Sequence, residues 1–346
     1  MSAALRRVLV AAWTRRGPLA WMLWPLSLLY GLAVTVRTWL YGAHILKSEP
    51  VPVPVIVVGN VVAGGGGKTP LVLAIVEHLQ NRGKSVGVVS RGYGRAGSDC
   101  REVYADSAAG DVGDEPLLIK RSTGARVFVA PRRIDAARAL LLRNPALDVL
   151  VCDDGLQHLA LQRDMEICAF DRNGVGNGLL LPAGPLRERW PRPVDLLVCD
   201  SEAALPGCWP VRRSLGRHAR RADGVEATLQ TLGARAQDSA VGLWAVAGIA
   251  RPDAFFAMLR NAGLTLAHTI ALPDHAAYDD ARWHCPAANI LLCTEKDAVK
   301  LWQFRPDAWA VPLQLALDAE FWTHFDKILQ ARTEAKLSSA HGYTTA

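Results

Sequence analysis

Continuous apolar runs of strand length punctuate the chain after residue 54: VIVVGN (55–60), SVGVVS (85–90), ARVFVA (125–130), DVLVCDD (148–154), MEICAF (165–170) and DLLVCD (195–200). Between them, helix-length segments predict helices over about 69–82 and 133–143. A strand with one wet face alternates apolar and polar residues, whereas these β-branched runs do not. They therefore predict parallel strands covered on both sides. The expected fold is α/β, a mostly parallel sheet with helices on both faces. Residues 210–238 break the pattern: they are polar and carry Arg212, Arg213, Arg217, Arg220 and Arg221. They read as a connection to a smaller C-terminal α/β unit, which begins at GLWAVAGIA (242–250) and continues through NILLCTEKDAV (289–299) and WAVPLQLAL (309–317). The expected organisation is a basic apolar segment at 1–47, a main unit at 48–215, a smaller unit at 216–335 and a loose tail at 336–346. No internal repeat is visible.

The first segment has a pattern of its own. Twenty uncharged residues, GPLAWMLWPLSLLYGLAVTV, lie between Arg16 and Arg37. As a helix they would measure about 30 Å, long enough to cross a bilayer. Pro18 and Pro25 interrupt the run, and arginines on both flanks give the positive-inside rule no clear orientation. Trp13, Trp21, Trp24, Trp39, Tyr30 and Tyr41 favour the membrane–water boundary. A shallow helix with its arginines toward anionic headgroups fits these features better than a simple span, a signal peptide or a packed core helix.

Charge sharpens this picture. The chain of 346 residues carries a formal net charge of +6. Residues 1–48 hold six basic residues and no acid, so the remainder balances at 33 against 33. The basic character belongs to one end and does not describe a nucleic-acid-binding body. Seven cysteines, none in a CxxC spacing, read as reduced structural thiols.

The strongest local signal is GGGGKT (64–69), directly after a buried-type strand. Glycines at Gly64, Gly65, Gly66 and Gly67 let backbone N–H groups turn toward phosphate, where a Cβ would obstruct. Lys68 would reach the β/γ-phosphates and the Thr69 hydroxyl would ligate Mg²⁺ at the start of a helix. The usual pattern has glycine five residues before Gly67, where Val62 stands, so the match is to a shorter variant. Gly92, Gly94 and Gly97 satisfy GxGxxG, yet no convincing helix follows, which argues against a dinucleotide site. Asp153 and Asp154 end another strand, where carboxylates hold Mg²⁺ directly or through water. Together these features predict a P-loop NTPase-like unit that binds ATP with Mg²⁺.

Several further motifs, in order and spacing, resemble the tetraacyldisaccharide 4′-kinase family of lipid A synthesis: VPVIVVGN with GGGGKTP, SRGYGR (90–95), GDEP (113–116), DDGLQH (153–158), LPAGPLRE (181–188), PDH (273–275) and TEKDAVK (294–300). The resemblance runs from the N-terminus to about residue 300. It implies transfer of the ATP γ-phosphoryl group to the 4′-hydroxyl of an acylated glucosamine disaccharide 1-phosphate, giving lipid IV-A. Asp114 would be the base that takes the sugar hydroxyl's proton. His275 would be its partner. Asp153 and Asp154 would form the metal-side pair, completed by Glu188. Arg91, Arg133 (or Arg132) and Arg187 would meet phosphates of ATP or of the lipid. Thr294, Glu295, Lys296 and Asp297 would face the nucleotide, with a solvated Lys296 as the alternative. The implied location is the cytoplasmic face of the inner membrane, peripheral or monotopic, with the lipid as partner and no nucleic acid. The competing expectation is a membrane-docked P-loop ATPase switch that phosphorylates no lipid. Against it, Ala63 stands where such switches carry a signature lysine.

Overall fold

The computed structural model describes residues 12–64, 67–201, 203, 205–238, 241–274, 276, 278 and 284–341. Gly65, Gly66 and His275 lie outside the described residues, as do 1–11 and 342–346.

The main sheet uses strands β1 (Val55–Gly59), β2 (Val86–Ser90), β3 (Arg101–Val103), β4 (Arg126–Val129), β5 (Val149–Asp153), β6 (Met165–Phe170), β7 (Leu196–Asp200) and β8 (Trp209–Leu215). A second sheet uses β9 (His218–Arg220), β10 (Glu226–Thr228), β11 (Leu243–Ala247), β12 (His268–Ala271), β13 (Ile290–Thr294) and β14 (Trp309–Val311), and β15 (Leu313–Ala316) returns to the first. The helices are α1 (Pro18–Gly42), α2 (Lys68–Asn81), α3 (Ala109–Val112), α4 (Asp114–Thr123), α5 (Arg133–Arg143), α6 (Leu229–Asp238), α7 (Pro252–Asn261), α8 (Glu295–Leu301) and α9 (Ala319–His341).

The first sheet has the order β15-β8-β7-β6-β1-β5-β2-β4-β3 and is parallel from β8 to β4, with antiparallel edges at β3 and β15. The chain steps from β1 over to β2 and later inserts β5 between them, so the order reverses beside β1. In open α/β sheets ligands bind at the carboxyl ends of strands around such a point. The strands are apolar on both faces because both are covered. Ile56 and Val58 pack with α2, α4 and α9, whereas Val55 and Val57 pack with α5.

The chain crosses between the sheets twice, at Gly216 and at Pro312, and the Gly216 N–H donates to the Pro312 carbonyl at 2.8 Å. After the second crossing, Phe321 and Phe325 of α9 are fully buried in the core of the first sheet. Trp322 stacks on His78 of α2 at 4.0 Å, and Lys336, within the stretch expected as a loose tail, pairs with Asp164 at 2.6 Å.

Three further differences have plain causes. Pro25 lies inside α1 and does not end it; its ring removes one N–H donor and crowds the carbonyl four residues back, a cost of about 3 kcal/mol that a long apolar helix tolerates. Cys199 and Cys208 form a disulfide, correcting the reading of all cysteines as thiols. Parallel pairing of β7 with β8 returns the chain alongside itself, with the two Cα atoms 5.9 Å apart. Lastly, the arginine-rich WPVRRSL is strand β8, half-exposed near the sheet edge, where polar side chains are tolerated.

Candidate active site

The glycine turn emerges from β1 and ends at Gly67, which has φ +75° and serves as the N-cap of α2. Only glycine adopts that backbone without strain, and a Cβ there would also collide with the guanidinium of Arg213. Lys68, 8% exposed, points its ammonium at Asn60 Oδ1 (3.3 Å) and Asp154 Oδ1 (3.4 Å). Asn60 also ties back the turn by donating from Nδ2 to the Gly64 carbonyl. In the sequence, the one signal of Asn60 is its place as the first residue after a buried strand. Thr69 is half-buried in the first turn of α2.

Strand β5 delivers the two aspartates beside this turn, because Asp153 lies opposite Val58 of β1. Their environments differ sharply. Asp153 is 1% exposed; Oδ2 accepts from Ser90 Oγ at 3.1 Å, and Oδ1 is buried without a hydrogen-bond partner. Burial, with the charges of Glu115 and Asp154, pushes its pKa up to about 7. Asp154, at φ +48°, turns the other way, toward Lys68 and Arg187 (3.0 and 3.2 Å). Burial raises its pKa, but these cations outweigh burial and hold it below the usual carboxylate value. Glu188 is engaged by Gln157 at 2.6 Å and Arg192 at 3.3 Å. Among the described residues, no three His, Cys, Asp or Glu side chains gather into a cation site.

The expected arginines separate. Arg187 joins the Lys68–Asp154 pair. Arg133 is 7% exposed and donates to the Asp154 carbonyl at 2.9 Å, while its backbone N–H donates to His158 Nε2 at 3.1 Å. Burial and the adjacent arginines drive the His158 pKa down to about 4, which keeps that nitrogen an acceptor. Arg132 instead pairs with Glu49 and is exposed, as is Arg91.

Asp114 opens α4 behind Gly113 (φ +94°), where a Cβ would stand only 3.0 Å from Gly92 Cα of the SRGYGR turn. That turn carries the GxGxxG spacing, and β3 follows it without a helix, as the sequence anticipated. Asp114 is 7% exposed and its Oδ2 lies 2.6 Å from Lys300 Nζ, on α8 of the second unit. Lys300 also donates to the Ala276 carbonyl at 3.1 Å. One turn earlier, Lys296 sits between Asp274 (3.2 Å) and Glu115 (3.5 Å), an ion pair bridging the units and not a solvated charge. Asp297, in contrast, is internal: Thr294 Oγ1 donates to it at 2.6 Å and the Gly248 N–H at 3.1 Å. TEKDAVK therefore presents two lysines to the first unit and uses its aspartate to fix the turn behind them.

The loop 175–187 next to Arg187 forms the seat of α1. Ser27 Oγ donates to the Leu180 carbonyl (2.9 Å) and accepts from Ala183 N–H (3.0 Å), and Tyr30 donates to the Arg187 carbonyl (2.7 Å). Ala20, Ser27 and Gly31 make the buried stripe. Opposite them Met22, Leu29, Leu32 and Trp39 are 61–69% exposed. By length and composition the helix is apolar enough to cross a membrane.

The arrangement can hold a polyphosphate at a glycine turn, with an unpartnered carboxylate oxygen and a second, lysine-held carboxylate nearby. The sequence profile of LpxK, described as tetraacyldisaccharide-1-P 4′-kinase, matches residues 19–330. A tetraacyldisaccharide 4′-kinase of Acidovorax sp. (strain JS42) is 54% identical over 334 residues, covering 95% of each chain. One from Polaromonas naphthalenivorans is 50% identical over 350 residues, covering 99% of this chain and 100% of its own. A crystal structure described as the "apo" form of LpxK from Aquifex aeolicus in complex with ATP superposes with a TM-score of 0.77 at 29% identity, over 91% of this chain and 99% of that one. Profile, relatives and fold agree: the chain is a kinase and belongs to the tetraacyldisaccharide 4′-kinase family.

Proposed function

We propose that this enzyme transfers the γ-phosphoryl group of ATP to the 4′-hydroxyl of tetraacyldisaccharide 1-phosphate at the cytoplasmic surface of the inner membrane. The observation that carries the reading is the Asp114–Lys300 pair, a buried carboxylate held by an ammonium at 2.6 Å at the start of α4, next to Glu115, whose charge acts on Asp153.

In this reading the turn at Gly64–Gly67 and Lys68 bind the triphosphate, and Asp154 with Asn60 holds the ammonium in place. Asp114 accepts the proton as the sugar oxygen attacks phosphorus, and the bond from phosphorus to the β,γ-bridging oxygen breaks. Lys300 keeps the carboxylate aimed, and His275 is its further partner. Mg²⁺ would be held by the buried Oδ1 of Asp153, which has no hydrogen-bond partner, and by the Thr69 hydroxyl in the first turn of α2. Mg²⁺ sites next to nucleotides are completed by phosphate oxygens and water, so one or two protein oxygens suffice. When bound, the ion would neutralise charge on the transferring phosphate. Asp154 and Glu188 then steady the cations Lys68, Arg187 and Arg192. The exposed face of α1 rests in the lipid while its other face braces the loop ending at Arg187.

The test is transfer of ³²P from labelled ATP to the acylated disaccharide in mixed micelles. Labelled lipid is expected; release of phosphate to water alone would leave an ATPase and overturn the reading.

A further inference from the structure

Arg213 belongs to none of the motifs above and lies in the strand that the sequence pattern reads as a connection. Its guanidinium nonetheless occupies the space beside Gly67, at the end of the phosphate loop. This is the amino end of α2, whose backbone dipole repels cations. Lys68 is already there, the first turn contains no acid, and no side chain caps the helix. Arg213 finds only a loose counter-charge: Asp200 Oδ2 is 3.7 Å from its Nε, beyond hydrogen-bond length, and that Nε is buried without a hydrogen-bond partner. The crowding extends further. Arg251, at the start of α7, is held below the usual arginine value by burial and by Arg172 and Arg213, with Asp171 and Asp200 only partly offsetting them. Cations gathered at the positive pole of a helix, one with an idle donor, are a stable arrangement once an anion lies among them.

We propose that Arg213 is a second polyphosphate-binding cation of the loop, gripping the nucleotide's phosphates from β8 as Lys68 does from α2. A guanidinium offers two parallel donors to a phosphate, which an ammonium does not. Asp200 holds the side chain ready without saturating it. This rests on the loop being the ATP site. The lipid's 1-phosphate has the same chemistry, but contact with Gly67 assigns Arg213 to the nucleotide.

The experiment compares Arg213→Ala, Arg213→Gln and Arg213→Lys in the full-length, detergent-solubilised enzyme. Calorimetry measures ATP, ADP and adenosine binding, steady-state kinetics measure KM for ATP and for lipid, and melting is followed without nucleotide. Losing hydrogen bonds to a charged group predicts ATP and ADP binding weakened about 10- to 100-fold in the Ala and Gln variants. Adenosine binding and KM for lipid should stay within about twofold, and Lys should recover part of the loss. The nucleotide-free Tm should hold or rise, because a cation has left the positive end of a helix. ATP affinity within about twofold of the parent would overturn the proposal, as would a KM for lipid that rises as much as that for ATP. A fall in nucleotide-free Tm with no selective loss of ATP would assign Arg213 a structural role instead. Lys68→Ala is the control: if it too leaves ATP binding intact, the loop reading fails, and not the role of Arg213 alone.

Discussion

Replacing Lys300 by methionine leaves a side chain of similar length but removes the charge facing Asp114. The ammonium and carboxylate are 2.6 Å apart, with side-chain exposures of 17% and 9%. At an effective dielectric of about 20, their gross attraction is roughly 6 kcal/mol, most of it offset by desolvation of both groups. Removing one partner forfeits the attraction and keeps the desolvation, so Lys300→Met should destabilise the protein by about 3–5 kcal/mol. Adding Asp114→Asn removes the charge that Lys300 had balanced. The double variant should therefore be more stable than the sum of the singles implies, with a coupling energy of about 2–3 kcal/mol. Urea unfolding of the four proteins in detergent, followed by tryptophan fluorescence, measures this cycle. In the transfer assay Lys300→Met should lower kcat far more than it raises KM for ATP, and Lys300→Arg should restore part of it. A coupling below about 0.5 kcal/mol would refute the claim that this pair clamps α8 to α4. So would a Lys300→Met variant with unaltered kcat.

Other perturbations separate the remaining roles. Lys68→Ala and Asp114→Ala should both abolish lipid phosphorylation, but only the first should weaken ATP binding in calorimetry; normal turnover by Asp114→Ala would place the base elsewhere. Leu29→Glu with Leu32→Glu, on the exposed face of α1, should release the enzyme from liposomes and raise KM for lipid more than for ATP, since the Ser27 and Tyr30 contacts remain. Sedimentation unchanged from the parent would remove α1 as the anchor. Glu295 lines a small crevice between the units beside Arg121 and Arg220. Burial, against the opposing pull of Arg220, pushes its pKa up to about 7. Because the native value is raised, its contribution to stability is full below pH about 4.5 and is lost as pH rises through about 7. Melting curves of Glu295→Gln should accordingly fall less steeply than the parent's between pH 5 and about 8; parallel curves would refute that environment.

The central strands and the two longest helices of the main unit are legible from pattern because each is buried on a continuous face. VIVVGN, DVLVCDD and the helix after GGGGKT need no partner to declare themselves. Elements whose stability is borrowed are not legible. Strand β8 carries the adjacent Arg212 and Arg213 and is placed by pairing with β7 and β15 and by Val211 in the core. Strand β3 is a three-residue edge. Helix α9 shows nothing in sequence to say that Phe321 and Phe325 fill the other unit's core. The same division holds in the site. Lys68, Asp153 and Asp154 are adjacent to diagnostic backbone and can be placed in advance. Lys300 and Arg213 acquire meaning only because they cross 186 and 146 residues of chain to reach Asp114 and Gly67. Asn60 and Gln157 act through hydrogen bonds that no spacing encodes.

The paired crossings at Gly216 and Pro312 set how the smaller unit is attached. A lobe strung on one linker can swivel and drift. Here both strands of chain enter and leave at a single point, bound to each other by the 2.8 Å hydrogen bond. The lobe is thereby joined to the main sheet by a two-stranded strap and not by a single linker. The same strap fixes the side from which Lys296 and Lys300 meet the carboxylates of the first unit.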